Sequence, residues 1–308
     1  MRRVCVCVLL SAAPVLYLLN VSYMTAGTIP LMHLAHEWGW TYDYVPDLSG
    51  ATSVVTGASS GLGLAVAQAL AEAGAGVIAT ARSEAKCAAT VAAIEESADR
   101  CRVKPRCVVA ELLSLRSTGA AVDEILRLTR ETGVDHLVLN AGIMAPPFSL
   151  SEDGLESQFQ TNHLSHFYVV RELLPALRFA SAARDVPSTV VAVSSIAHHF
   201  APPDELWTAE TLNDEAHYDR IAWYGWSKLC NVLLARELNR REARLADDEH
   251  RKTQSVVAHA VHPGGVQGKL LRFSRIPQPL VDAFEAAFYW RPVDAALTVL
   301  RPLLDVAF

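Results

Sequence analysis

Tyr224 and Lys228 lie four residues apart in the segment YGWSK, inside a predicted helix over Trp223–Arg244. Residues at this spacing share one face of a helix, so the phenol and the ammonium group would be neighbours. A tyrosine pKa near 10 must fall by about 2–3 units before the phenol exchanges protons near neutrality, which requires roughly 3–4 kcal/mol. A close, desolvated ammonium group can contribute to that stabilisation, whereas a solvated surface pair cannot. Taken alone, such a pair is more often part of an ordinary helix surface.

A glycine-rich turn follows the first predicted strand and leads directly into an alanine- and leucine-rich helix. Glycines at such a turn permit a close backbone approach to a pyrophosphate, which the helix amides and the helix dipole would stabilise. A glycine-rich turn alone is a weak signal, because many tight turns use glycine for steric reasons. Its position between the first strand and the first helix favours a dinucleotide site formed by Gly57, Ser59, Ser60, Gly61, Leu62 and Gly63.

The end of the second predicted strand, Val77–Thr80, indicates which dinucleotide would bind. An NAD site is expected to offer a carboxylate there to the adenosine ribose, whereas an arginine suits the 2′-phosphate of NADP. Ala81 has no carboxylate, and Arg82 follows it. NADP(H) is therefore the favoured cofactor. The alternative is NAD(H) held by backbone contacts, with Arg82 as a solvated loop residue.

Short strands and helices alternate along the chain after Asp47. Apolar runs rich in β-branched residues predict strands at Thr52–Val55, Val77–Thr80, Cys107–Ala110, His136–Leu139, Thr189–Val193 and Ser255–Val261. The stretches between them predict helices at Leu62–Ala73, Glu84–Ser97, Thr118–Glu131, Leu155–Phe179 and Trp223–Arg244. This alternation predicts an α/β fold with a doubly wound parallel sheet. We expect one domain over residues 48–308, because no repeat or low-complexity linker interrupts the pattern.

The order of further motifs resembles that of a known family. The motifs are Asn140-Ala141-Gly142 after the fourth strand, Asn162 in the next helix, Ser194-Ser195 after the fifth strand and His262-Pro263-Gly264 after the sixth. With the glycine turn, Tyr224 and Lys228, they resemble the short-chain dehydrogenase/reductase family over residues 48–300. The phrases SSIAHHF and YGWSKLCNVLLARELNRR look most like the branch of retinol dehydrogenases and WW-domain oxidoreductases. The resemblance implies a single Rossmann-type domain with its site at the carboxyl ends of the strands.

The resemblance implies roles for individual residues. Tyr224 would be the general acid/base for the substrate oxygen, and Lys228 would hold the nicotinamide ribose and lower the tyrosine pKa. Ser195 would hydrogen-bond the substrate carbonyl or alcohol; Ser194 is the alternative. Asn162 would support a water-linked proton relay. Beyond the glycine turn, the implied cofactor-binding residues are Arg82, Glu111, Leu112, Asn140, Ala141, Gly142, Tyr224, Lys228, Pro263, Gly264 and Val266.

Three features depart from the family pattern. After the third strand, Glu111 keeps the usual acidic charge before Leu112 but on a longer side chain. Gly268 stands where the family often has a threonine that contacts the cofactor, which predicts weaker cofactor binding. The chain ends at residues 304–308, where related proteins usually add another strand. We therefore expect either a truncated sequence or a sheet with a bare edge.

The first 47 residues predict a membrane segment. Residues 4–19 carry no charge and begin a low-charge stretch that continues to Met32. About 20 apolar residues suffice to cross a bilayer. A cluster of rings that would suit the headgroup region follows, at Trp38, Trp40, Tyr42 and Tyr44. The alternatives to an uncleaved anchor are a cleaved signal or transit peptide and a buried core helix.

The charges around this segment predict its orientation. Arg2 and Arg3 precede it, and the first basic residue after it is Arg82. The positive-inside rule then places the amino terminus in the cytosol and the body in a lumen, at the endoplasmic reticulum or another endomembrane. Cleavage would instead make the protein secreted or organellar. A lumen would permit a disulfide between Cys101 and Cys107, although cysteine spacing does not decide the pairing.

The overall composition excludes several classes of protein. With 51% hydrophobic and 19% charged residues, the chain is not intrinsically disordered. A net charge of −6 and the lack of a long basic run argue against a nucleic-acid partner. The histidine pairs, His33 with His36 and His198 with His199, lack the companion ligands of a metal site, so we expect no metal.

The sequence constrains the identity of the substrate less than it constrains the fold or the cofactor. The segment Leu270–Trp290 is apolar at partly helical spacing, through Phe273, Ile276, Leu280, Phe284, Phe288 and Trp290. It fits either a lid over a lipophilic ligand or a helix packed on the core. With the membrane segment, it favours an NADP(H)-dependent oxidoreductase acting by hydride transfer on a retinoid, steroid or other lipid alcohol or carbonyl. The alternative is a dinucleotide-binding interaction or regulatory protein with little turnover; either could form a homo-oligomer.

Overall fold

Six parallel strands form the sheet around which the chain is organised. The computed structural model describes residues 40–97, 103–248, 255–274 and 276–305. The strands are β1 (Thr52–Val55), β2 (Gly76–Ala81), β3 (Arg106–Val109), β4 (His136–Leu139), β5 (Ser188–Val193) and β6 (Val256–Val261). Their order is β3-β2-β1-β4-β5-β6. The predicted doubly wound parallel sheet is confirmed, and every predicted strand boundary lies within one residue of the observed one.

The strand order creates a crevice between β1 and β4. The chain proceeds from β1 outward to β2 and β3, and from β4 outward in the other direction to β5 and β6. Val54 pairs with Leu137, and the Thr56 amide donates to the Val138 carbonyl, so the two central strands end together. Connections that leave a sheet in opposite directions at such a point open a crevice at the carboxyl ends of the strands. In the described part of the chain, β6 forms one edge of the sheet.

Helices cover both faces of the sheet. They are α1 (Gly61–Glu72), α2 (Glu84–Ser97), α3 (Leu115–Leu128), α4 (Ser165–Arg184), α5 (Arg220–Asp248), α6 (Gln278–Phe288) and α7 (Pro292–Leu304). One apolar core joins the sheet to α1, α2 and α7 through side chains such as Leu70, Ile94 and Leu300. A second core joins the opposite face to α3, α4 and α5 through Ile125, Leu173 and Leu238. Both faces are thereby buried, as apolar parallel strands require.

The helix predicted over Leu155–Phe179 is divided in the structure. It begins as a short helix, Ser157–Phe159, and passes through a π-helical turn, Gln160–Leu164, before α4. Such wider turns occur mostly inside α-helices and frequently mark functional positions. Here the π-helical turn contains the predicted relay residue Asn162. Sequence periodicity detects the helix but not this local change of hydrogen bonding.

Capping residues set the helix ends that the apolar pattern misplaced. α3 begins at Leu115, three residues before the predicted start, because the Ser114 side chain accepts from the Ser117 amide. α5 likewise begins before the predicted Trp223, and Asp219 accepts from two amides of its first turn. α4 continues past the predicted end until Asp185, whose φ of +57° ends the helix.

The segment before β1 is attached to the domain. Trp40 packs against the core formed with α1 and α7, and the Tyr42 hydroxyl donates to the Val293 carbonyl at 2.5 Å. These two aromatic residues belong to the stretch that the sequence assigned to a membrane interface. The predicted membrane segment itself, residues 4–32, lies outside the described residues. Among the residues that are described, no helix is both long and apolar enough to span a bilayer.

A disulfide joins Cys87 of α2 to Cys107 of β3, with 5.2 Å between the Cα atoms. The pairing of Cys101 with Cys107 suggested by the sequence is therefore wrong. Cys107 lies nearer to Cys101 along the chain, but α2 packs directly on β3 in the folded domain. Packing between elements, rather than sequence distance, decides which cysteines meet.

Candidate active site

A cavity of about 1000 Å³ opens at the carboxyl ends of the strands, at the crevice between β1 and β4. Clefts of this kind are where small ligands bind in doubly wound sheets. All predicted cofactor-binding residues line it: Gly57, Ser59, Ser60, Gly61, Leu62, Gly63, Arg82, Glu111, Leu112, Asn140, Ala141, Gly142, Tyr224, Lys228, Pro263, Gly264 and Val266. Of the predicted catalytic residues, Ser195, Tyr224 and Lys228 also line the cavity. Asn162 is fully buried behind its wall.

The glycine turn forms the floor of one end of the cavity. Gly57 has a φ of +65°, and a Cβ atom there would lie 2.8 Å from the Ala141 Cα. A Cβ atom at Gly63 would lie 2.3 Å from the Asn140 amide nitrogen and 2.6 Å from the Gly57 carbonyl oxygen. Both positions therefore require glycine, one for its backbone conformation and both for close packing.

The start of α1 is suited to an anion. Gly61 has a φ of +57°, and no atom lies within 4 Å of the position that its Cβ would occupy. Ser60 precedes the helix without capping it through its side chain. The first amides of α1 therefore point toward an open part of the cavity, together with the positive end of the helix dipole. This cradle fits the pyrophosphate of a dinucleotide.

Asn140 braces the glycine turn from β4. Its side-chain amide donates to the Thr56 and Gly57 carbonyls at 3.0 and 3.3 Å. The Thr56 hydroxyl in turn accepts from the backbone amides of Asn140 and Ala141 at 2.9 and 3.1 Å. The segments after β1 and β4 are thereby joined into one rigid floor.

His166 links this floor to Asn162. Its Nδ1 lies 3.0 Å from the Asn162 carbonyl oxygen, which can only accept, so Nδ1 carries the proton. Its Nε2 then accepts from the Thr56 hydroxyl at 2.9 Å. Burial, followed by the charge of Lys228, lowers the pKa of His166 to about 3, so the ring is neutral near pH 7. The neutral imidazole fixes the spacing between the turn and the π-helical segment.

Asn162 links the segment after β4 to α5, behind Lys228, through hydrogen bonds. Its side chain accepts from the Ile143 amide at 2.8 Å and donates to the Ile143 carbonyl at 2.9 Å and to the Ser227 hydroxyl at 3.0 Å. Its backbone carbonyl accepts from both His166 and Asn231. Gly142 separates Asn162 from the lysine: a Cβ atom there would lie 3.2 Å from Asn162 Oδ1 and 3.5 Å from Lys228 Nζ.

Tyr224 and Lys228 face the cavity from one side of α5, as their spacing predicts. Both are buried, at 4% and 3% exposure, and the Lys228 ammonium lies 5.6 Å from the centre of the Tyr224 ring. The ammonium donates to the Val193 carbonyl at 2.9 Å. Desolvation lowers the pKa of Lys228 to about 8, so its charge is held near neutrality and lost in mild alkali. The pair is therefore not an ordinary solvated helix surface.

The two serines after β5 occupy different environments. Ser194 is buried, and its hydroxyl donates to the Lys228 carbonyl at 2.8 Å. The Ser195 hydroxyl accepts from the Ala197 amide at 3.2 Å and lines the cavity beside Tyr224. Ser195 accepts this bond and keeps its own proton for another acceptor. Both serines line the cavity, but the Ser194 hydroxyl already donates its proton, so of the two the Ser195 hydroxyl is the one left able to donate into the cavity.

Gly225 is a site residue that the sequence analysis did not single out. A Cβ atom there would lie 2.4 Å from the Ala197 carbonyl and 2.9 Å from the Ala201 amide. α5 therefore contacts the backbone of the short helix Ile196–Phe200, which begins directly after Ser195. Its position between Tyr224 and the lysine was the available signal, but only the packing partner shows why glycine is required.

Comparison with known proteins agrees with this geometry. Residues 51–205 match the family model described as short chain dehydrogenase. The chain belongs to the short-chain dehydrogenase family.

Relatives of this dehydrogenase confirm the branch indicated by its motifs. Retinol dehydrogenase 14 of Homo sapiens is 34% identical over 82% of this chain and 73% of its own length. The WW domain-containing oxidoreductase of Drosophila melanogaster is 32% identical over 71% of this chain and 50% of its own. Among solved structures, the RhlG/NADP active-site complex of Pseudomonas aeruginosa has a TM-score of 0.60 and 26% identity. It covers 85% of this chain and 93% of that one.

Glu111 and Gly268, the two residues near the cofactor site that depart from the family pattern, both line the cavity. Glu111 lines the cavity, and one of its carboxylate oxygens accepts from the Leu113 amide at 3.3 Å. The Gly268 amide donates to Glu285 at 2.9 Å, and nothing lies within 4 Å of its Cβ position. A larger side chain at Gly268 would therefore meet open space beside the cavity.

The rest of the cavity lining includes many apolar side chains. Sequence patterns did not single out most of these residues, because they come from separate loops, short helices and the start of α5: Ile143, Met144, Pro146, Phe148, Ile196, Phe200, Ile221, Leu270, Leu271, Phe273 and Tyr289. Of the apolar residues singled out in Leu270–Trp290, Phe273 alone belongs to this lining. Helix α6 buries Val281 and Glu285 but exposes Leu280 and Phe288 to solvent.

Proposed function

We propose that this dehydrogenase uses NADP(H) to interconvert an alcohol and a carbonyl group on a lipophilic substrate. The observation that carries the proposal is the meeting of the glycine cradle, Ser195, Tyr224 and Lys228 in one cavity that also has many apolar lining residues. A dinucleotide cradle beside a proton-exchanging pair suits redox chemistry at a carbon that bears oxygen.

The residues present fit a dinucleotide. The start of α1 would hold the pyrophosphate, and Asn140, Ala141 and Gly142 would border the adenosine side. Lys228 would hold the nicotinamide ribose, and Arg82 would favour the 2′-phosphate that distinguishes NADP(H) from NAD(H). When bound, the nicotinamide gives or takes the hydride. The protein supplies orientation and electrostatic stabilisation.

Tyr224 would exchange the proton of the substrate oxygen. In reduction the phenol protonates the developing alkoxide, and in oxidation the phenolate removes the alcohol proton. The Lys228 ammonium favours the phenolate because the two groups are close and shielded from water. Ser195 would hydrogen-bond the same substrate oxygen. Asn162 would support proton supply to Lys228 across the space above Gly142.

The apolar part of the cavity lining supports a retinoid, steroid or other lipid as the substrate. Aromatic and aliphatic side chains such as Phe148, Phe200 and Phe273 would remove a hydrocarbon substrate from water. Polar groups are concentrated instead around Tyr224 and Ser195. This division orients an amphiphile with its oxygen at the tyrosine.

We extend the proposal to a membrane location, at the endoplasmic reticulum or another endomembrane with the body in the lumen. The apolar residues 4–32 would provide the anchor. Tyr42 ties the chain just after this segment to the start of α7, next to the exposed Phe288 and Val293. The disulfide between Cys87 and Cys107 agrees with an oxidising compartment. Cleavage of the leader would instead give a secreted or organellar enzyme.

The proposal is tested by turnover of the purified full chain with NADPH and a panel of lipid aldehydes and ketones. Tyr224→Phe is the matched control, because it removes only the hydroxyl. We expect measurable reduction of at least one lipophilic carbonyl and a loss of about 10²-fold or more in the variant. NADPH binding with equal, near-zero rates in both proteins would refute the enzyme and favour a dinucleotide-binding interaction protein.

A further inference from the structure

Four basic side chains from two distant segments line the cofactor end of the cavity. Arg82 and Lys86 follow β2, whereas Lys269 and Arg272 follow β6. All four are exposed at the rim of the cavity. Within the described ranges, none of them forms an ion pair with a carboxylate. A cluster of unpaired cations on both walls of a cleft attracts an anion between them.

Arg82, from the segment after β2, and Arg272, from the segment after β6, line the same cavity. Partial desolvation, followed by the positive charge of Arg82, lowers the pKa of the Arg272 guanidinium, so the two cations repel. Glu111 is the acidic residue among the described side chains that line the same cavity, and one of its carboxylate oxygens accepts from the Leu113 amide. Like charges held together without a counter-ion cost free energy that a bound phosphate would recover.

The Arg272 side chain is held in place before any ligand binds. Its Nη1 donates to the Lys269 carbonyl at 2.8 Å, and its guanidinium carbon lies 4.7 Å from the centre of the Phe273 ring. Stacking and one hydrogen bond leave most guanidinium donors available. A side chain already ordered in this way loses little entropy when an anion binds.

We propose that Arg272 is a second 2′-phosphate-binding residue, which holds NADP(H) from the segment after β6 together with Arg82 from the segment after β2. The inference rests on the proposed use of NADP(H) and adds a specificity residue from the segment after β6. A phosphate dianion offers three acceptor oxygens, enough for a guanidinium on each side. NAD(H) has an uncharged hydroxyl at this position and would leave the repulsion uncompensated.

The same contact would couple cofactor identity to the substrate end of the cavity. Arg272 lies on the segment whose Gln267 amide donates to the Trp290 carbonyl at 2.9 Å and whose Gly268 amide donates to Glu285. This segment also contributes Leu271 and Phe273 to the apolar lining. A phosphate bridging Arg82 and Arg272 would therefore fix one wall of the substrate site, and NADP(H) alone would do so.

Equilibrium binding to the full chain tests the assignment. Dissociation constants are measured for NADPH, NADH, adenosine 2′,5′-bisphosphate and 5′-AMP, with Arg272→Ala, Arg82→Ala and the exposed, distant Arg130→Ala as control. We expect Arg272→Ala to weaken NADPH and the bisphosphate about tenfold, a change of about 1.4 kcal/mol. NADH and 5′-AMP should change less than about twofold, and Arg272→Lys, which keeps the charge but loses the planar guanidinium, should retain part of the NADPH affinity.

The outcomes separate this inference from the proposed function. If the native protein binds neither nucleotide, or prefers NADH, the proposed cofactor is wrong. If the native protein prefers NADPH and Arg272→Ala keeps that preference, the function stands and the role of Arg272 is overturned. Equal weakening of NADPH and NADH would also overturn it, because the residue would then act on a part common to both.

Limited trypsin digestion gives a readout other than affinity. Trypsin cleaves after Lys269, so the cleavage rate reports how well the segment after β6 is held in place. At equal nucleotide saturation, NADPH should slow cleavage at Lys269 severalfold more than NADH does. Arg272→Ala should remove this difference while leaving the melting temperature unchanged. Equal protection by both nucleotides in the native protein would contradict the bridge between the two walls.

Discussion

The floor and the rim of the cavity differ in the interactions that their residues make. The floor comprises the glycine turn and Asn140–Gly142, together with four buried residues that support them, Asn162, His166, Gly225 and Lys228. Close packing and hydrogen bonds join these residues to their neighbours. The rim comprises Arg82, Lys86, Lys269 and Arg272, which are exposed and make no carboxylate ion pair in the described ranges. Floor positions are therefore constrained by sterics and hydrogen bonding, whereas rim positions are constrained by charge.

This difference predicts different consequences of substitution. A change at the floor disturbs close-packed backbone, so folding and all chemistry should suffer together. A change at the rim leaves the fold intact, because exposed charges contribute little to stability. It should alter only which anion binds. The following experiments test this division, from the largest expected effect to the smallest.

Gly225→Ala should produce the largest effect. Alanine normally stabilises a helix relative to glycine by up to about 1 kcal/mol. Here the added Cβ would lie 2.4 Å from the Ala197 carbonyl, so we expect a loss of roughly 3 kcal/mol of unfolding free energy and most activity. Urea unfolding and NADPH turnover measure both effects.

Gly119→Ala is the matched helical control for this prediction. A Cβ atom at Gly119 of α3 would approach the Tyr168 hydroxyl at 3.4 Å, near ordinary contact distance. This variant should be neutral or slightly stabilised. Similar behaviour of the two alanine variants would show that the floor is less rigid than the packing indicates.

His166→Leu should cost roughly 2 kcal/mol of unfolding free energy, because it removes the bonds to Thr56 and Asn162. The native imidazole has a pKa of about 3 against 6.5 for the unfolded chain. Its contribution is therefore present above pH 6.5 and lost as the pH falls toward 3. Urea unfolding at pH 7 and pH 5 should show a shallower pH dependence in the variant. His199→Leu, at an exposed position, should match the native protein at both pH values.

The affinity for NADPH at alkaline pH should depend on whether Lys228 is protonated. Its pKa of about 8 means that the ammonium is largely deprotonated at pH 9. If the cofactor binds the protonated form, affinity should fall about tenfold between pH 7 and pH 9. Lys228→Arg keeps its charge throughout this range and should give a flat profile. A flat profile in the native protein would mean that this buried cation does not contribute to cofactor binding.

Gly268→Thr should have the smallest effect, and in the favourable direction. The Cβ position of Gly268 meets nothing within 4 Å, so a threonine can be accommodated beside the cavity. Its hydroxyl would restore a cofactor contact, and we expect NADPH to bind about threefold more tightly. Gly268→Val has the same shape without the hydroxyl and should leave the dissociation constant unchanged. Equal effects of both variants would assign any gain to packing.

Much of the site could be predicted because its motifs follow the strands directly. Once the chain is a doubly wound sheet, residues after β1, β4, β5 and β6 must meet at one edge, which brings Gly57, Asn140, Ser195 and Pro263 together. The i and i+4 spacing of Tyr224 and Lys228 likewise decided that they share a helix face. These inferences use the periodicity of the sequence and the order of its motifs, both of which can be read without knowing which distant segments come into contact.

Other features depended on contacts between distant segments. The burial of Asn162, the pairing of Cys87 with Cys107 and the approach of Gly225 to Ala197 leave no periodic signal in the sequence. The presence of Arg82 and Arg272 in the lining of one cavity is of the same kind, since they lie 190 positions apart in the chain. The sequence by itself determined the strand and helix alternation, the family and the residues able to do chemistry. The tertiary structure decided which are buried and which distant residues meet, because side-chain packing and desolvation arise only when the elements come together.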